Sequence, residues 1–166
     1  MINFNFISAE IFISLSIMFL LILGVFKKNS SKLIQNTSLI VLLITAVITF
    51  NETLGVEEVL LFNESIIIDY LSSFMKIVTL LAAFLVLIIS SSYLKTLKIF
   101  KIEYPILILS SVLGMLVMIS SNDLIVFYMG LELQSLALYV LATFNRDQLK
   151  SSEAGLKYFV LSALSS

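Results

Sequence analysis

Three ionisable side chains lie within apolar stretches of the sequence: Glu132, Lys157 and Lys76. A charged residue at the centre of a membrane helix costs about 2.5–3.5 kcal/mol on insertion scales, so it persists where something pairs with it or uses it. A carboxyl group and an amine can each take up and release a proton. These residue types therefore indicate proton transfer as the chemistry to look for.

Glu132 lies in a polar stripe within one apolar stretch. Tyr128, Glu132, Ser135, Tyr139 and Thr143 are spaced by four, three, four and four residues, which places them on one face of a helix. Glu132 is roughly 12 Å from the nearer end of the stretch, too far for a carboxylate to reach the interface. Burial favours its neutral form and a nearby cation favours its charged form, so a moving cation could switch its proton. The alternative is a polar seam for helix packing, with Glu132 permanently protonated.

Lys157 lies six residues into the last apolar stretch, roughly 9 Å from its boundary. A snorkelling lysine is one explanation, because the long side chain can reach the interface. Glu153 is one turn earlier, and a short connection over 145–150 joins this stretch to that of Glu132. With helix axes about 8–10 Å apart, a direct or water-mediated coupling of Glu132 to Lys157 is feasible.

Lys76 lies six residues into the third apolar stretch and shares a helical face with Asp69, Ser72, Ser73 and Thr79. Its side chain could reach back toward Asp69 and the interface. A snorkelling lysine with a local partner is therefore slightly favoured over a functional one.

Two further acids lie at the ends of apolar stretches. Glu10 begins the first stretch, and we expect it to stay at the membrane interface. Asp123 ends a polar turn, and we expect it to cap the helix that follows.

Six apolar stretches must position these side chains, and helices are the natural choice because every backbone polar group must be satisfied internally in lipid. About 20 helical residues cross a ~30 Å hydrocarbon core. The predicted spans are about 7–26, 33–50, 70–94, 104–121, 124–144 and, incomplete, 151–166. We predict an all-α, polytopic membrane helical bundle in one domain over 1–166, with about five complete transmembrane helices and the start of a sixth. A span that stops in mid-membrane predicts a continuation, covalent or docked.

Composition excludes several classes of function. Hydrophobic residues make up 60% of the chain and charged residues 13%, far below the roughly 25% of soluble domains, and the mean hydropathy is +1.10. Cysteine and histidine are absent, which removes the usual ligands of iron–sulfur clusters, haem and zinc. The scattered glycines form no nucleotide-binding motif, and a net charge of −1 makes nucleic acid an unsuitable partner.

The connections between spans alternate in charge. By the positive-inside rule the basic connections face the cytoplasm or matrix, which puts the N-terminus on the periplasmic or intermembrane-space side. The basic connections carry Lys27, Lys28, Lys32, Lys95, Lys98, Lys101, Arg146 and Lys150, and the acidic ones carry Glu52, Glu57, Glu58, Glu64, Asp69 and Asp123.

The second half of the sequence resembles a known family. The residues GMLVMISSNDLIVFYMGLELQSLALY (114–139), FNR (144–146) and SEAGLKYFVLSALSS (152–166) are similar to the antiporter-like membrane subunits of proton-pumping NADH:quinone oxidoreductase, respiratory complex I. Within that family they resemble subunit N, called NADH dehydrogenase subunit 2 in mitochondria. The resemblance is specific over roughly 103–166.

The resemblance implies a role in the proton path for Glu132, as the family's fifth-helix glutamate, and for Lys157, as its sixth-helix lysine; Lys76, Tyr128, Ser135 and Tyr139 are weaker candidates. It implies a full protein of about fourteen helices with two inverted repeats, and the other membrane subunits of complex I as partners. No cofactor is expected on this chain, whereas NADH, FMN, iron–sulfur clusters and quinone are expected on other subunits. The expected location is the mitochondrial inner membrane, with the bacterial plasma membrane as alternative.

Two other functions stay open at the level of sequence. A subunit of a multisubunit cation/proton antiporter would share the buried glutamate and lysine without any redox partner. A structural membrane subunit would need the helices but not their proton exchange.

Overall fold

Helices make up most of the part of the chain that the computed structural model describes, namely residues 7–26, 31–53, 59–96, 99–145 and 148–165. The helices of this part are α1 (Ser8–Phe26), α2 (Ser31–Thr53), α3 (Tyr70–Thr96), α4 (Glu103–Ile119), α5 (Leu124–Ala142) and α6 (Leu149–Ser165). The predicted helical bundle is confirmed. Two short strands, β1 (Val59–Leu61) and β2 (Ile66–Ile68), form an antiparallel hairpin between α2 and α3 that the sequence did not predict.

Four helices, α1, α2, α3 and α5, are long and apolar enough to cross a membrane. Helix α4 is apolar but has 17 residues, which corresponds to about 26 Å at 1.5 Å per residue. It begins with Pro105 in its first turn, where the missing N–H breaks no helical hydrogen bond. The described part of the chain is thus built as a multi-pass membrane protein.

Helices α1 to α4 enclose one apolar core, and α5 and α6 extend the bundle from it. α4 packs against α1, α2 and α3 on one side and against α5 on the other, and α6 packs on α5. The outward faces carry exposed apolar side chains such as Phe26 and Leu124, as expected where lipid is the solvent. The fully buried core residues include Ile13, Leu20, Ile34, Leu42, Leu80, Leu87, Leu109 and Leu116.

Two glycines allow α4 and α5 to approach closely. A Cβ atom added to Gly114 would lie 2.8 Å from the carbonyl oxygen of Gly130, and one added to Gly130 would lie 2.8 Å from the backbone nitrogen of Met118. Backbone atoms cannot swing aside as side chains do, so any larger residue would push the helices apart. This crossing fixes the rotation of α5, and therefore the direction of its polar stripe.

The hairpin turns through three successive residues in the left-handed region. The φ angles are 52° at Phe62, 53° at Asn63 and 69° at Glu64. Asparagine adopts this conformation readily, whereas phenylalanine and glutamate adopt it at a cost. Contacts outside the hairpin must therefore hold it.

Those contacts come from the turn that joins α4 to α5. The N–H of Ile67 donates to the carbonyl oxygen of Ser120 at 2.9 Å, and the N–H of Asn122 donates to the carbonyl oxygen of Ser65 at 3.0 Å. The Asn122 side chain also donates to the carbonyl oxygen of Glu64 at 2.7 Å. The hairpin is thus attached to the end of the bundle where α1, α3 and α5 begin.

Candidate functional site

The polar stripe of α5 is present, but its residues differ in burial. Glu132 is half-buried, Ser135 and Tyr139 are buried, and Tyr128 is 45% exposed. The Ser135 hydroxyl donates to the main-chain oxygen of Glu132 at 3.0 Å, so it serves the helix backbone and not the carboxylate. Asp123 caps α5 as predicted, because its carboxylate accepts from the N–H of Ile125 at 3.4 Å.

Tyr139 connects the stripe to α6. Its hydroxyl donates to the Ser162 hydroxyl, and its ring makes edge contacts with Tyr158 and Phe159, at centroid distances of 4.8 Å and 5.6 Å. This residue therefore sets the position of α6 relative to α5 through one polar contact and two aromatic ones.

Lys157 does not contact Glu132 directly. Its Nζ atom lies 2.6 Å from the Glu153 carboxylate, and the two side chains are 69% and 55% exposed. The spacing of four residues within one helix lets these side chains meet without any help from tertiary structure. The structure therefore pairs Lys157 with Glu153. It shows no direct contact between Lys157 and Glu132.

Among the residues that the structure describes, the most deeply buried charges belong to a pair that the sequence did not predict. Lys76 Nζ lies 2.6 Å from Glu10 Oε1, and the side chains are 1% and 10% exposed. The prediction that Lys76 reaches toward Asp69 is wrong, because Lys76 binds Glu10 instead. The Asp69 carboxylate accepts from the N–H of Ser72 at 2.7 Å and caps α3. Glu10, which we expect at the interface, lies in the first turn of α1, and its carboxylate turns inward to neutralise the lysine.

Two neighbours complete the surroundings of this pair. The Ser120 hydroxyl, at the end of α4, approaches Glu10 Oε1 at 3.5 Å. Glu52, near the end of α2, is half-buried, accepts a hydrogen bond from the Ser8 hydroxyl and lies within electrostatic range of Glu10 and Lys76. We call Glu10, Glu52 and Lys76 the hairpin-side cluster.

One sequence signal could have revealed this cluster. Helices α1 and α3 are separated by two membrane crossings, so both begin on the same side. Glu10 is the third residue of α1 and Lys76 the seventh of α3, which puts them within about 6 Å of each other in depth. Opposite charges at matching depth on non-consecutive helices are a stronger indication of a partner than proximity along the chain.

Comparison with known proteins relates the chain to a class of membrane proteins. The family model described as "NADH:quinone oxidoreductase/Mrp antiporter, TM" matches residues 121–166. A chain of respiratory complex I from Thermus thermophilus, solved with bound aureothin, superposes on 94% of this chain and 33% of its own length, with a TM-score of 0.77 and 23% identity. The chain therefore has the fold of a membrane helical bundle like that complex I chain, and its last segment matches the antiporter-like family model.

The curated relatives are more specific. NADH-quinone oxidoreductase subunit N of Pelagibacter ubique is 69% identical over 164 residues, 99% of this chain and 35% of the relative. The subunit N of Maricaulis maris is 50% identical over 151 residues, 90% of this chain and 31% of the relative. This chain is homologous to the N-terminal part of NADH-quinone oxidoreductase subunit N, and it spans about a third of the length of the curated relatives it matches.

Proposed function

We propose that this chain is part of a membrane-arm subunit of respiratory complex I and contributes to proton translocation coupled to NADH:quinone electron transfer. The observation that carries the proposal is Glu132, a half-buried carboxyl group inside an apolar helix and inside the segment that the family model matches. The names of the relatives supply the enzyme to which such a group would belong.

Proton transfer at Glu132 would follow from changes in the charges around it. A cation that approaches favours the carboxylate, and one that leaves favours the acid. Lys157, paired with Glu153 on α6, would be such a cation, because α6 packs on α5. Tyr128, Ser135 and Tyr139 line the same face of α5 and could guide water toward the carboxylate.

The redox reaction would take place on other subunits. NADH, FMN, iron–sulfur clusters and quinone would bind there, because this chain has no cysteine or histidine to ligate a cluster or haem. Other complex I membrane subunits, and the remaining helices of subunit N, would cover the apolar faces of α5 and α6.

The location would be an energy-coupling membrane. The relatives named above are bacterial, which supports the bacterial plasma membrane over the mitochondrial inner membrane. The described lysines at connections, Lys32, Lys95, Lys101 and Lys150, lie at the ends of helices away from the hairpin. This supports an orientation with the N-terminus and hairpin on the periplasmic side.

A cation/proton antiporter subunit is the second candidate, because the description of the matching family model names Mrp antiporters as well. Copurification distinguishes the two functions. A complex I subunit should copurify with a flavin-containing arm that oxidises NADH, whereas an antiporter subunit should copurify with membrane proteins alone.

Replacing Glu132 by glutamine tests the proposal. In the full-length subunit within an assembled complex, Glu132→Gln should lower the number of protons pumped per electron, because an amide keeps the shape but cannot accept the proton. Proton uptake by proteoliposomes during NADH oxidation measures this number, and membrane insertion and assembly should stay close to wild type.

The matched control is Glu103→Gln, the same change at an exposed residue in the first turn of α4, which should pump like the wild type. If assembled Glu132→Gln complex pumped as many protons per electron as the wild type, Glu132 would have a packing role only.

A further inference from the structure

The Glu10–Lys76 pair is buried, and a buried ion pair is costly and often contributes little net stability. Two ions removed from water lose more solvation than their attraction returns unless the geometry and the remaining hydrogen bonds are favourable, and apolar replacements of such pairs are often neutral or stabilising. The pair is nevertheless buried among four helix ends, with Lys76 only 1% exposed. A role other than stability is therefore the better explanation of its presence.

The carboxylate of this pair keeps one oxygen available. Glu10 Oε1 accepts from Lys76 at 2.6 Å and from Ser120 at 3.5 Å. Glu10 Oε2 is buried and has no hydrogen-bond partner in the described part of the chain. A buried acceptor without a partner is unusual, and here it is the atom to which a proton can add without displacing the lysine.

The charges of the hairpin-side cluster do not balance. Among the described residues, α1 contributes Glu10, α2 contributes Glu52, α3 contributes Lys76, and the end of α4 contributes only the hydroxyl of Ser120. With all three groups ionised the cluster carries one excess negative charge. One added proton makes it neutral, and a surrounding of low polarity favours the neutral state.

We propose that Glu10, Glu52 and Lys76 form a second proton-binding site, which holds one exchangeable proton at the hairpin end of the bundle. A hydronium ion gives its proton to a carboxylate lone pair of Glu10 or Glu52 and becomes water, and on release the proton returns to water. Glu52 provides the route to the surface, because it is half-buried and accepts a hydrogen bond from the half-buried Ser8 at the start of α1. A metal ion fits less well, since Lys76 already occupies the cationic position.

A role of this site in translocation rests on the proposed function, whereas its proton binding does not. Infrared difference spectroscopy of the assembled complex, recorded between two pH values, measures protonated carboxyl groups directly and needs no pumping. The site should contribute one titrating carboxyl signal.

The informative variants keep the cluster free of unpaired charge. The triple variant Glu10→Gln/Glu52→Gln/Lys76→Met replaces all three charges by neutral groups of similar size, so it should assemble and lose the titrating signal. Glu52→Gln removes the excess negative charge and should also remove or shift the signal. Glu64→Gln, the same change at an exposed residue of the hairpin, is the matched control and should leave it unchanged.

Each outcome decides one question. If the assembled triple variant retained every titrating carboxyl signal, proton binding at the cluster would be refuted. If the signal disappeared while pumping stayed at the wild-type level, proton binding would stand and a role in translocation would be refuted. If Glu132→Gln pumped normally but kept the cluster signal, the proposed function would fail and the second site would remain.

Discussion

Lys76 is the largest side chain, by volume, that the described part of the chain buries almost fully. Its partner Glu10 lies 66 residues earlier in the sequence. An ammonium group this deep must be neutralised, because the alternative is a bare charge in a medium that cannot solvate it. The pairing of these two residues thus forces α1 and α3 into one relative depth.

Sequence reasoning at this scale identified which side chains are costly but not which ones meet. Glu132 and Lys76 lie in helices that are apolar enough to cross a membrane, since depth follows from counting residues, whereas Lys157 is exposed on α6. Partners depend on how each helix is rotated, and rotation follows from packing between distant segments. For that reason Lys76 was assigned to Asp69, a neighbour along the chain, instead of Glu10.

Removing the hydroxyl of Tyr139 should weaken the attachment of α6. Tyr139→Phe keeps the ring contacts with Tyr158 and Phe159 but loses the hydrogen bond to Ser162, and hydrogen bonds between membrane helices contribute about 0.6 kcal/mol on average. Unfolding of the purified complex in detergent mixtures measures the loss. Tyr128→Phe, at a tyrosine with 45% exposure on the same helix, is the control and should be neutral. Equal stability of the two variants would mean that the Tyr139 hydroxyl contributes nothing.

At the scale of elements, the crossing of α4 and α5 depends on glycine. Gly130→Ala would place a Cβ atom 2.8 Å from the Met118 nitrogen and 3.0 Å from the Gly114 oxygen. Because both are backbone atoms, the helices must separate, and we expect a loss of about 1–3 kcal/mol, as in other overpacked cores. The measurement is the free energy of unfolding, together with the yield of assembled complex.

Gly24→Ala is the matched control for this prediction. A Cβ atom there would meet only side-chain atoms, Ile102 Cγ2 at 2.9 Å and Ile34 Cδ1 at 3.5 Å, and side chains can move. It should therefore cost much less than Gly130→Ala. A Gly130→Ala protein as stable as the Gly24→Ala protein would show that the close crossing is not required.

The helices were largely predictable, and the hairpin was not. Helix α3 was predicted over 70–94 and spans Tyr70–Thr96, and α5 was predicted over 124–144 and spans Leu124–Ala142. Long apolar stretches leave the chain no other way to satisfy its backbone in lipid. The strands Val59–Leu61 and Ile66–Ile68 have three residues each, too few to show a period, and the acidic residues around them indicated an ordinary loop.

For the whole molecule, the distribution of charge predicts which end faces which compartment. The chain has no cysteine, so a single introduced cysteine can show on which side of the membrane its position lies. Asn63→Cys in the hairpin should react with an impermeant maleimide added to intact cells, whereas Lys150→Cys at the start of α6 should react only after the membrane is opened. Both positions are exposed. If Lys150→Cys were labelled in intact cells and Asn63→Cys were not, the proposed orientation would be wrong.

The short central helix has a consequence for how membrane thickness acts on this protein. Helix α4 is enclosed by α1, α2, α3 and α5, so its 17 residues need not match the bilayer. Helix α3, with 27 residues and exposed leucines and valines, must match it by tilting, because hydrophobic mismatch is relieved at modest cost in that way. A thinner or thicker membrane would therefore change the tilt of α3 against α4 and the position of Lys76 relative to Glu10, which makes lipid chain length a means of adjusting a buried ion pair.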